Sequence, residues 1–475
     1  MKKQLLSVLI IFVITILFYK AQAQIPTLWG ATSIGGPNSV QDGNVFKFKV
    51  DSVLVDLHDF GTGTGDTDGK FPGNSLIKAY NGLLYGLTEQ GGANGAGVIF
   101  SVNPATGSEK TVYNMTINGG DNAVGSLLQL SDSVLYGLTG YGGPDENGVI
   151  FSYNYNTNNY TELYSFGGGN DGENPGGTLI QVQDSLLYGT TINGGIYSGG
   201  TIFKYNVTKG KETVVYSFGN DTDGANPHGA LFLATNGLLY GTTDDGGSTG
   251  RGTFFDFNTT TNTDTVLYDF IVDSMGGFPY GNVIQATNGL LYGLTTASTM
   301  FDYNISTHKF RKIYDFKFAS GNEPRGSLIQ ASDGLLYGLA SNGGAFTDGV
   351  LFSYNISDST YTDIIDFNGY DGYAPDGTLL EYDPSTGAGV KQLTAENGQW
   401  SIYPNPNNGE FTLQLNGNQN GNTVEIYNVL GEMVYQSVLS NLQHTINLTG
   451  EPEGMYVVQL KGRSGVEVEK VLVTK

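Results

Sequence analysis

The chain has 475 residues, with 71 glycines, no cysteine and a formal charge of −23. The lack of thiols excludes disulfides, thiolate metal sites, iron–sulfur clusters and thiol catalysis, and the acidic balance disfavours nucleic acid, whose phosphates need a basic surface. Glycine is about double its usual level of roughly 7%, charged residues are only 14%, and 30 Tyr and 25 Phe are present, so the composition describes aromatic strands separated by turns, an all-β chain.

In chain order, residues 1–23 read as a secretory signal: Lys2 and Lys3, the apolar run LLSVLIIFVITILFY, then Ala21-Gln22-Ala23 as a small-x-small cleavage site. The run is too short and too close to that site to favour a membrane span. A mature chain beginning near Gln24 would lose Lys2, Lys3 and Lys20, taking the formal charge to about −26.

A repeat then occupies most of the chain. Aligned on the Tyr of LLYG, it recurs at Tyr85, Tyr136, Tyr188, Tyr240, Tyr292 and Tyr337, at spacings of 51, 52, 52, 52 and 45 residues. A Leu or Val stands nine residues before each Tyr. A Phe follows fifteen residues after it, except in the short fifth unit, where Phe301 follows by nine. Each unit therefore supplies four short apolar runs, in the third unit GTLIQV, LLYGTT, TIFKYN and TVVYSF. The first two are joined by Asn-Gly, Asp-Gly or Asp-Ser, which suit a hairpin turn whose central residues take positive φ. Four antiparallel strands in about 50 residues is the content of a propeller blade.

The ends of the repeat region are complementary. LWGATSIGG, GNVFKFKV and VLVDLHDF near the start match the second, third and fourth strands, whereas APDGTLLEYD, residues 374–383, is a first strand without its other three. Six whole units and one split unit make seven blades, the last strand pairing with the first three so that no edge is left open. A β-solenoid competes, but it tends to have a shorter period and capped ends. In LLYG, alternation places Leu84 and Gly86 on one face and Leu83, Tyr85 and Leu87 on the other, both covered by neighbouring blades, with Gly86 admitting a close backbone or ring.

The P-x-G-x-L and L-Y-G-L/T-T phrases, followed by GG and G-x-[IF]-F, resemble the GloVer tandem repeats of exported bacterial proteins over residues 29–383. Two departures stand out: GLTTASTMFDYN in the fifth unit lacks the GG loop, and Ala123 replaces the usual Pro in the second.

After Gly389 the pattern changes. YPNPNNGEFTLQL, VEIYNVLGEMVYQS, INLTGEPEGMYVVQLK and EKVLVTK alternate apolar positions with Gly, Asn and Pro turns, the mark of a small immunoglobulin-like β-sandwich. Tyr403-Pro404-Asn405-Pro406, the Tyr427–Gly431 strand and turn, Gly454-Met455-Tyr456 and the final strand through Lys475 resemble a type A sorting domain of the type IX secretion system. The resemblance implies passage across the outer membrane, removal or anchoring of the tail, and the secretion machinery as partner. The organisation expected is a signal peptide at 1–23, a propeller at 24–385, a linker at 386–398 and the sorting domain at 399–475.

Loops after the second and fourth strands return to one face, which makes that face or the central channel the place for a ligand. Asp66-Thr67-Asp68-Gly69 and Asp221-Thr222-Asp223-Gly224 repeat a D-T-D-G phrase. Asp66, Asp68, Asp221 and Asp223 are calcium candidates, since oxygen-rich turns can hold the ion. An Asx-type turn is the plainer reading, because no Glu follows at EF-hand spacing. Gly246-Gly247-Ser248-Thr249-Gly250 satisfies G-x-S-x-G, but strands flank it where a nucleophile elbow needs a helix. His58, His228, His308 and His444 have no metal-ligand spacing. His228 stands where other units have Tyr280, Arg325 or Asp376, which reads as tolerated variation. Tyr141, Tyr197, Tyr280 and Tyr370 are loop aromatics that could stack on sugars or pack between loops.

These features describe an exported, monomeric binding or adhesion module, secreted or attached to the outer surface of the outer membrane, with a glycan or a surface protein as ligand. It needs no cofactor, and catalytic residues cannot be chosen from the sequence. The alternative is a carbohydrate-active hydrolase or lyase with its site on the loop-rich face, for which paired carboxylates would serve. Near-uniform units favour binding.

Overall fold

The phrase N-G-L-L-Y-G-L-T builds a hairpin in which each residue has a task. Asn81 Oδ1 accepts the Leu83 N–H (3.1 Å), and Asn81 Nδ2 donates to the Tyr85 hydroxyl (2.9 Å). Asn236 with Tyr240 and Asn288 with Tyr292 repeat the arrangement, and at Asp333 the Tyr337 hydroxyl donates instead (2.7 Å). Of the Asn-Gly pair, only the glycine takes positive φ (82° at Gly82). The sequence rule for a two-residue turn asked for both, and the Asn side chain supplies the second constraint through its own hydrogen bonds. Gly86 lies opposite Phe100 in the ladder, and the Phe ring covers it. At the equivalent Gly189 and Gly241 a Cβ would stand 2.5 Å from the facing ring. The closing Thr88 donates to the Gln90 carbonyl (3.0 Å) and accepts the Val98 N–H (3.0 Å), fastening the next loop.

This computed structural model describes residues 26–382 and 400–473, apart from 37–41, 50–52, 62–66, 74, 132, 184, 221, 272–275, 404–408, 416–422, 429–432, 440–442, 453 and 463–464. The expected signal peptide, the linker, Asp66, Asp221, Pro404-Asn405-Pro406 and the Val429–Gly431 turn lie outside the described residues. The chain divides into two compact units, Met1–Gly389 and Val390–Lys475.

The described part of the first unit is all-β. It contains seven four-stranded antiparallel sheets and three short 3-10 turns, Ile117–Gly119, Gly169–Asp171 and Phe318–Ser320. The first sheet joins Leu380–Glu381 to Thr27–Thr32, Asn44–Lys49 and Val55–Asp59, with Leu28 opposite Glu381 and Trp29 opposite Leu380. The second to seventh sheets span 77–114, 121–165, 173–217, 232–269, 284–315 and 329–366, each running in simple strand order. The shortened fifth repeat still completes its sheet, through a tight link between Leu291–Thr295 and Thr299–Asn304.

Apolar side chains fill the space between successive sheets. Leu84 packs with Trp29, Val45 and Phe60 of the first sheet, while Tyr85 and Leu87 pack with Leu135 and Phe151 of the third. The two faces of LLYG are therefore buried against different neighbours, as the alternation required. Equivalent clusters join third to fourth, fourth to fifth, fifth to sixth and sixth to seventh sheets. One more joins the seventh to the first, through Tyr337, Leu351 and Phe367 against Leu28, Phe46 and Phe48.

Where the P-x-G-x-L segments enter their sheets, neighbouring backbones touch. A Cβ on Gly125, Gly177, Gly281 or Gly326 would collide with the backbone of the next segment, at Gly177, Ala230, Gly326 and Gly377 respectively. Hydrogen bonds follow the same path. Ser126 N–H donates to Thr178 Oγ1 (2.7 Å), Ala230 to Asn282 Oδ1 (3.0 Å), Asn282 to Ser327 Oγ (2.8 Å) and Ser327 to Thr378 Oγ1 (3.2 Å). Thr378 N–H then donates to Ser75 Oγ (2.9 Å), a link across 303 positions of sequence, and Ser126 Oγ donates to the Ser75 carbonyl (3.1 Å).

The second unit has a three-stranded sheet, Trp400–Tyr403, Glu410–Leu415 and Gln443–Asn447, and a four-stranded sheet ordered Met433–Val438, Thr423–Tyr427, Gly454–Gly462 and Gly465–Val473. Phe411, Leu413 and Ile446 of the first share one buried cluster with Val424, Ile426, Tyr456 and Val458 of the second.

Candidate functional site

The P-x-G segments converge on a cavity of about 470 Å³, within the size range of small-molecule sites. The glycine is dictated by backbone contact, so the residue before it is the one free to vary. In sheet order this residue is Asp376, Gly73, Val124, Gly176, His228, Tyr280 and Arg325, the second sheet having Asn74 where the other six have the glycine, and all seven line the cavity. Three small or apolar residues, with Ile192, form one arc, whereas the fifth, sixth, seventh and first sheets present His, Tyr, Arg and Asp in succession. Glu89, from the end of the second strand of its sheet, also faces in. The four residues, read from the sequence as tolerated variation at one repeat position, meet at one cavity. A detectable signal was available, because four chemically distinct functional groups follow one another beside Gly229, Gly281, Gly326 and Gly377.

The backbone before each segment is constrained. Phe71, Asn122, Asn174, Asn226, Phe278, Glu323 and Ala374 have φ between 50° and 58°, a left-handed conformation uncommon for residues other than glycine, Asn and Asp. Asn226 Nδ2 holds its turn by donating to the Ile192 carbonyl (2.9 Å), and Asn174 Nδ2 does so to the Gly140 carbonyl (2.9 Å). Ala123 follows Asn122 in the same conformation, so proline is dispensable there.

Inside the cavity the His228 and Tyr280 rings stack at 4.5 Å with 22° between planes. Tyr280 keeps 41% of its surface exposed. Ser33 Oγ donates to Asp376 Oδ1 (2.6 Å), which fixes that carboxylate. Arg325 is half-exposed and approaches Glu323 only to 3.8 Å, leaving its guanidinium available. Burial, then the charge of Asp376, pushes Glu89 up to about 7. Burial raises Asp376 to about 6 against the opposing effects of Ser33 and Arg325. Nearby Asp244 rises to about 6 through burial and Asp245, with Arg325 opposing. Burial lowers His228 and keeps its imidazole neutral. The cavity thus brings together the Arg325 guanidinium, the Glu89 and Asp376 carboxyls, both raised by burial, and a neutral aromatic stack.

The other candidates from the sequence fall elsewhere. Asp68 accepts the Gly61 N–H (3.1 Å) and lies 3.3 Å from His58 Nε2. Asp223 accepts the Gly219 N–H (3.1 Å) and the Tyr216 hydroxyl (2.8 Å). Both carboxylates serve their own loops, and among the described residues no group of three or more His, Asp or Glu is placed to hold a metal ion. Ser248 sits in a loop between strands Leu239–Thr243 and Thr253–Asn258, without a helix. His308 Nδ1 pairs with the Tyr303 hydroxyl and His444 Nε2 with that of Tyr435. Tyr141, Tyr197 and Tyr370 are 52%, 50% and 72% exposed, and only Tyr280 of the four loop tyrosines lines the cavity.

An all-β repeat chain with a shared cavity is thereby defined. The chain belongs to the Gloeobacter/Verrucomicrobia repeat family, whose profile matches residues 19–198, 148–298 and 179–403. It also carries a secretion system C-terminal sorting domain at 401–474. That domain directs type IX export, with attachment to or release from the cell surface, and engages the type IX secretion machinery.

No curated protein is similar in sequence. Among solved structures, one similar chain is the extracellular domain assigned to a hybrid two component system of B. thetaiotaomicron, with 12% identity, TM-score 0.47, and coverage of 92% of this chain and 62% of that one. A second is PorZ, described as an essential bacterial surface component of the type-IX secretion system of Porphyromonas gingivalis, with 14% identity, TM-score 0.41, and coverage of 94% and 58%. A third is an oligogalacturonate lyase in complex with manganese, with 12% identity, TM-score 0.46, and coverage of 68% and 90%. The chain thus spans less than two thirds of the length of the first two.

Proposed function

We propose that the seven sheets are the blades of a closed seven-bladed β-propeller at residues 24–385, exported behind a signal peptide and joined by a linker to the sorting domain at 399–475. In this reading the protein is a surface or secreted binding module whose axial cavity takes a terminal sugar of a glycan. The pairing of Leu380–Glu381 with Thr27–Thr32 and the Thr378-to-Ser75 hydrogen bond support closure.

The observation that carries the ligand reading is the succession His228, Tyr280, Arg325, Asp376 around one cavity. An aromatic face beside fixed carboxylates and one guanidinium offers stacking to a sugar ring and acceptors and donors to its hydroxyls. The carboxylates outnumber the single cation, so a neutral or amine-bearing sugar fits better than an acidic one. The mature protein is expected to retain such glycans on an array, and Arg325→Ala or Tyr280→Ala to weaken retention about tenfold or more. Undiminished retention by both variants would place binding elsewhere.

A second reading, glycoside cleavage, rests on Glu89 being pushed up to about 7 close to Asp376 at about 6. One carboxyl that keeps its proton near neutrality beside an ionised one is the requirement for acid–base work on a glycosidic bond. Oligosaccharide products released by the wild type but not by Glu89→Gln would favour that reading.

A further inference from the structure

The contacts between fourth strands repeat with a fixed register, and the chemistry at that register is of two kinds in six of the seven junctions, the seventh, Ile365 with Leu54, being aliphatic. One position lies opposite Val45, Ile99, Ile150, Ile202, Phe254, Met300 or Leu351 of the third strand; it holds His58, Tyr113, Tyr164, Tyr216, Tyr268, Tyr314 or Ile365. Four residues earlier in each following sheet stands its partner. In three junctions the partner is aromatic and stacks: Tyr113 on Tyr160 at 4.6 Å, Tyr268 on Phe310 at 3.8 Å and Tyr314 on Tyr361 at 4.3 Å. In three others the partner is Glu109, Glu212 or Asp264, against His58, Tyr164 and Tyr216.

The stacked junctions reveal what the position does. Tyr160 donates its hydroxyl to the Gly119 carbonyl (2.6 Å), and Tyr361 donates to the Ser320 carbonyl, both in the loop that follows the preceding sheet. In these two junctions the partner residue is thus an O–H donor to that loop, whereas Phe310 in the third holds its neighbour by stacking alone. In the carboxyl junctions the loop offers a carboxylate instead: Asp68, Asp171 or Asp223. Each of these is already an acceptor. Asp171 takes the Gly167 N–H (2.7 Å) and the Tyr164 hydroxyl (2.7 Å), and Asp223 takes the Gly219 N–H and the Tyr216 hydroxyl. Asp68 takes the Gly61 N–H. A second ionised carboxylate facing these would repel them at depth, and a carboxylic acid would donate as the phenol does.

We propose that Glu109, Glu212 and Asp264 are protonated in the folded protein at neutral pH and hold the preceding sheet by an O–H facing Asp68, Asp171 and Asp223, so that alkali loosens these three junctions. Oε1 of Glu109 and Glu212 and Oδ1 of Asp264 are buried and receive no hydrogen bond from a donor among the described residues, so a negative charge there has no donor to offset its burial, whereas a carboxylic O–H requires only an acceptor.

The charged surroundings agree. Burial, then Asp68, raises Glu109 to about 8, and His58 beside it is itself lowered by burial and so does not supply a cation. Burial and Asp171 raise Glu212 to about 8, with Tyr164 and Lys211 opposing only in part. Burial, Asp223 and Asp256 raise Asp264 to about 8. A folded-state value above the unfolded one means that unfolding releases a proton between the two. The stabilisation is therefore complete below about pH 4.5, falls as pH rises toward 8 and is gone above it, each group changing the folding equilibrium about tenfold per pH unit across that window.

The test is thermal unfolding of the mature full chain from pH 5 to 9, alongside Glu109→Gln, Glu212→Gln, Asp264→Asn and the triple variant. Glutamine and asparagine keep an N–H donor and cannot titrate. The expected result is a melting temperature that falls with pH in the wild type, a shallower fall in each single variant and the shallowest in the triple. Infrared absorption supplies a second reading: the wild type at pH 7 should show a protonated-carboxyl C=O band that is weaker in the triple variant and disappears on titration above pH 8. No such band at pH 7, or a pH slope unchanged in correctly folded variants, would overturn the proposal.

Discussion

Gly326 illustrates how one atom decides a position. A Cβ there would strike the Gly377 carbonyl, a contact between equivalent positions of consecutive repeats. Gly326→Ala is expected to cost about 1–3 kcal/mol of stability, read as a lowered urea midpoint. Gly450→Ala, where no atom lies within 4 Å, should stay within about 0.5 kcal/mol. The same close contact divides the roles along the segment: the glycine is committed to packing, and the position before it brings His228, Tyr280, Arg325 or Asp376 to the cavity. Asp68 and Asp223 make the opposite point. In the D-T-D-G phrase each of these carboxylates accepts a loop N–H and lies against the neighbouring ring, the hydrogen bonding of the Asx-type turn.

Among the sheets, the fourth strands mark where packing depends on a few side chains. Phe310 stacks on Tyr268 with ring planes 1° apart and also meets Phe301 and Phe270. Phe310→Ala should cost about 3 kcal/mol, visible in denaturant melts, and unlike the carboxyl junctions it should do so equally at pH 5 and pH 8. The second strands were legible in the sequence because LLYG sets alternating faces, a turn and a glycine within six residues. The fourth strands were not, because the chemistry at their contact register changes from ring to carboxyl between repeats, and only pairing across sheets reveals that the two solutions serve one role.

For the whole molecule, the strand Leu380–Glu381 supplies the cavity-side edge of the sheet that begins with Thr27. A chain of residues 24–373 should expose Thr27–Thr32 as an unpaired edge and associate, whereas residues 24–382 should remain monodisperse by size-exclusion light scattering. If both behave alike, the proposed closure contributes nothing. The sequence by itself determined the all-β class, the number and period of the repeats, the complementary half-units and the sorting domain, because each is written in local periodicity and turn chemistry. Tertiary structure alone decided the cavity and the carboxyl junctions. His228, Tyr280, Arg325 and Asp376 are separated by 45–52 residues in sequence, and a repeat brings such positions together only after every sheet has packed on its neighbour, so their meeting is a property of the assembled fold.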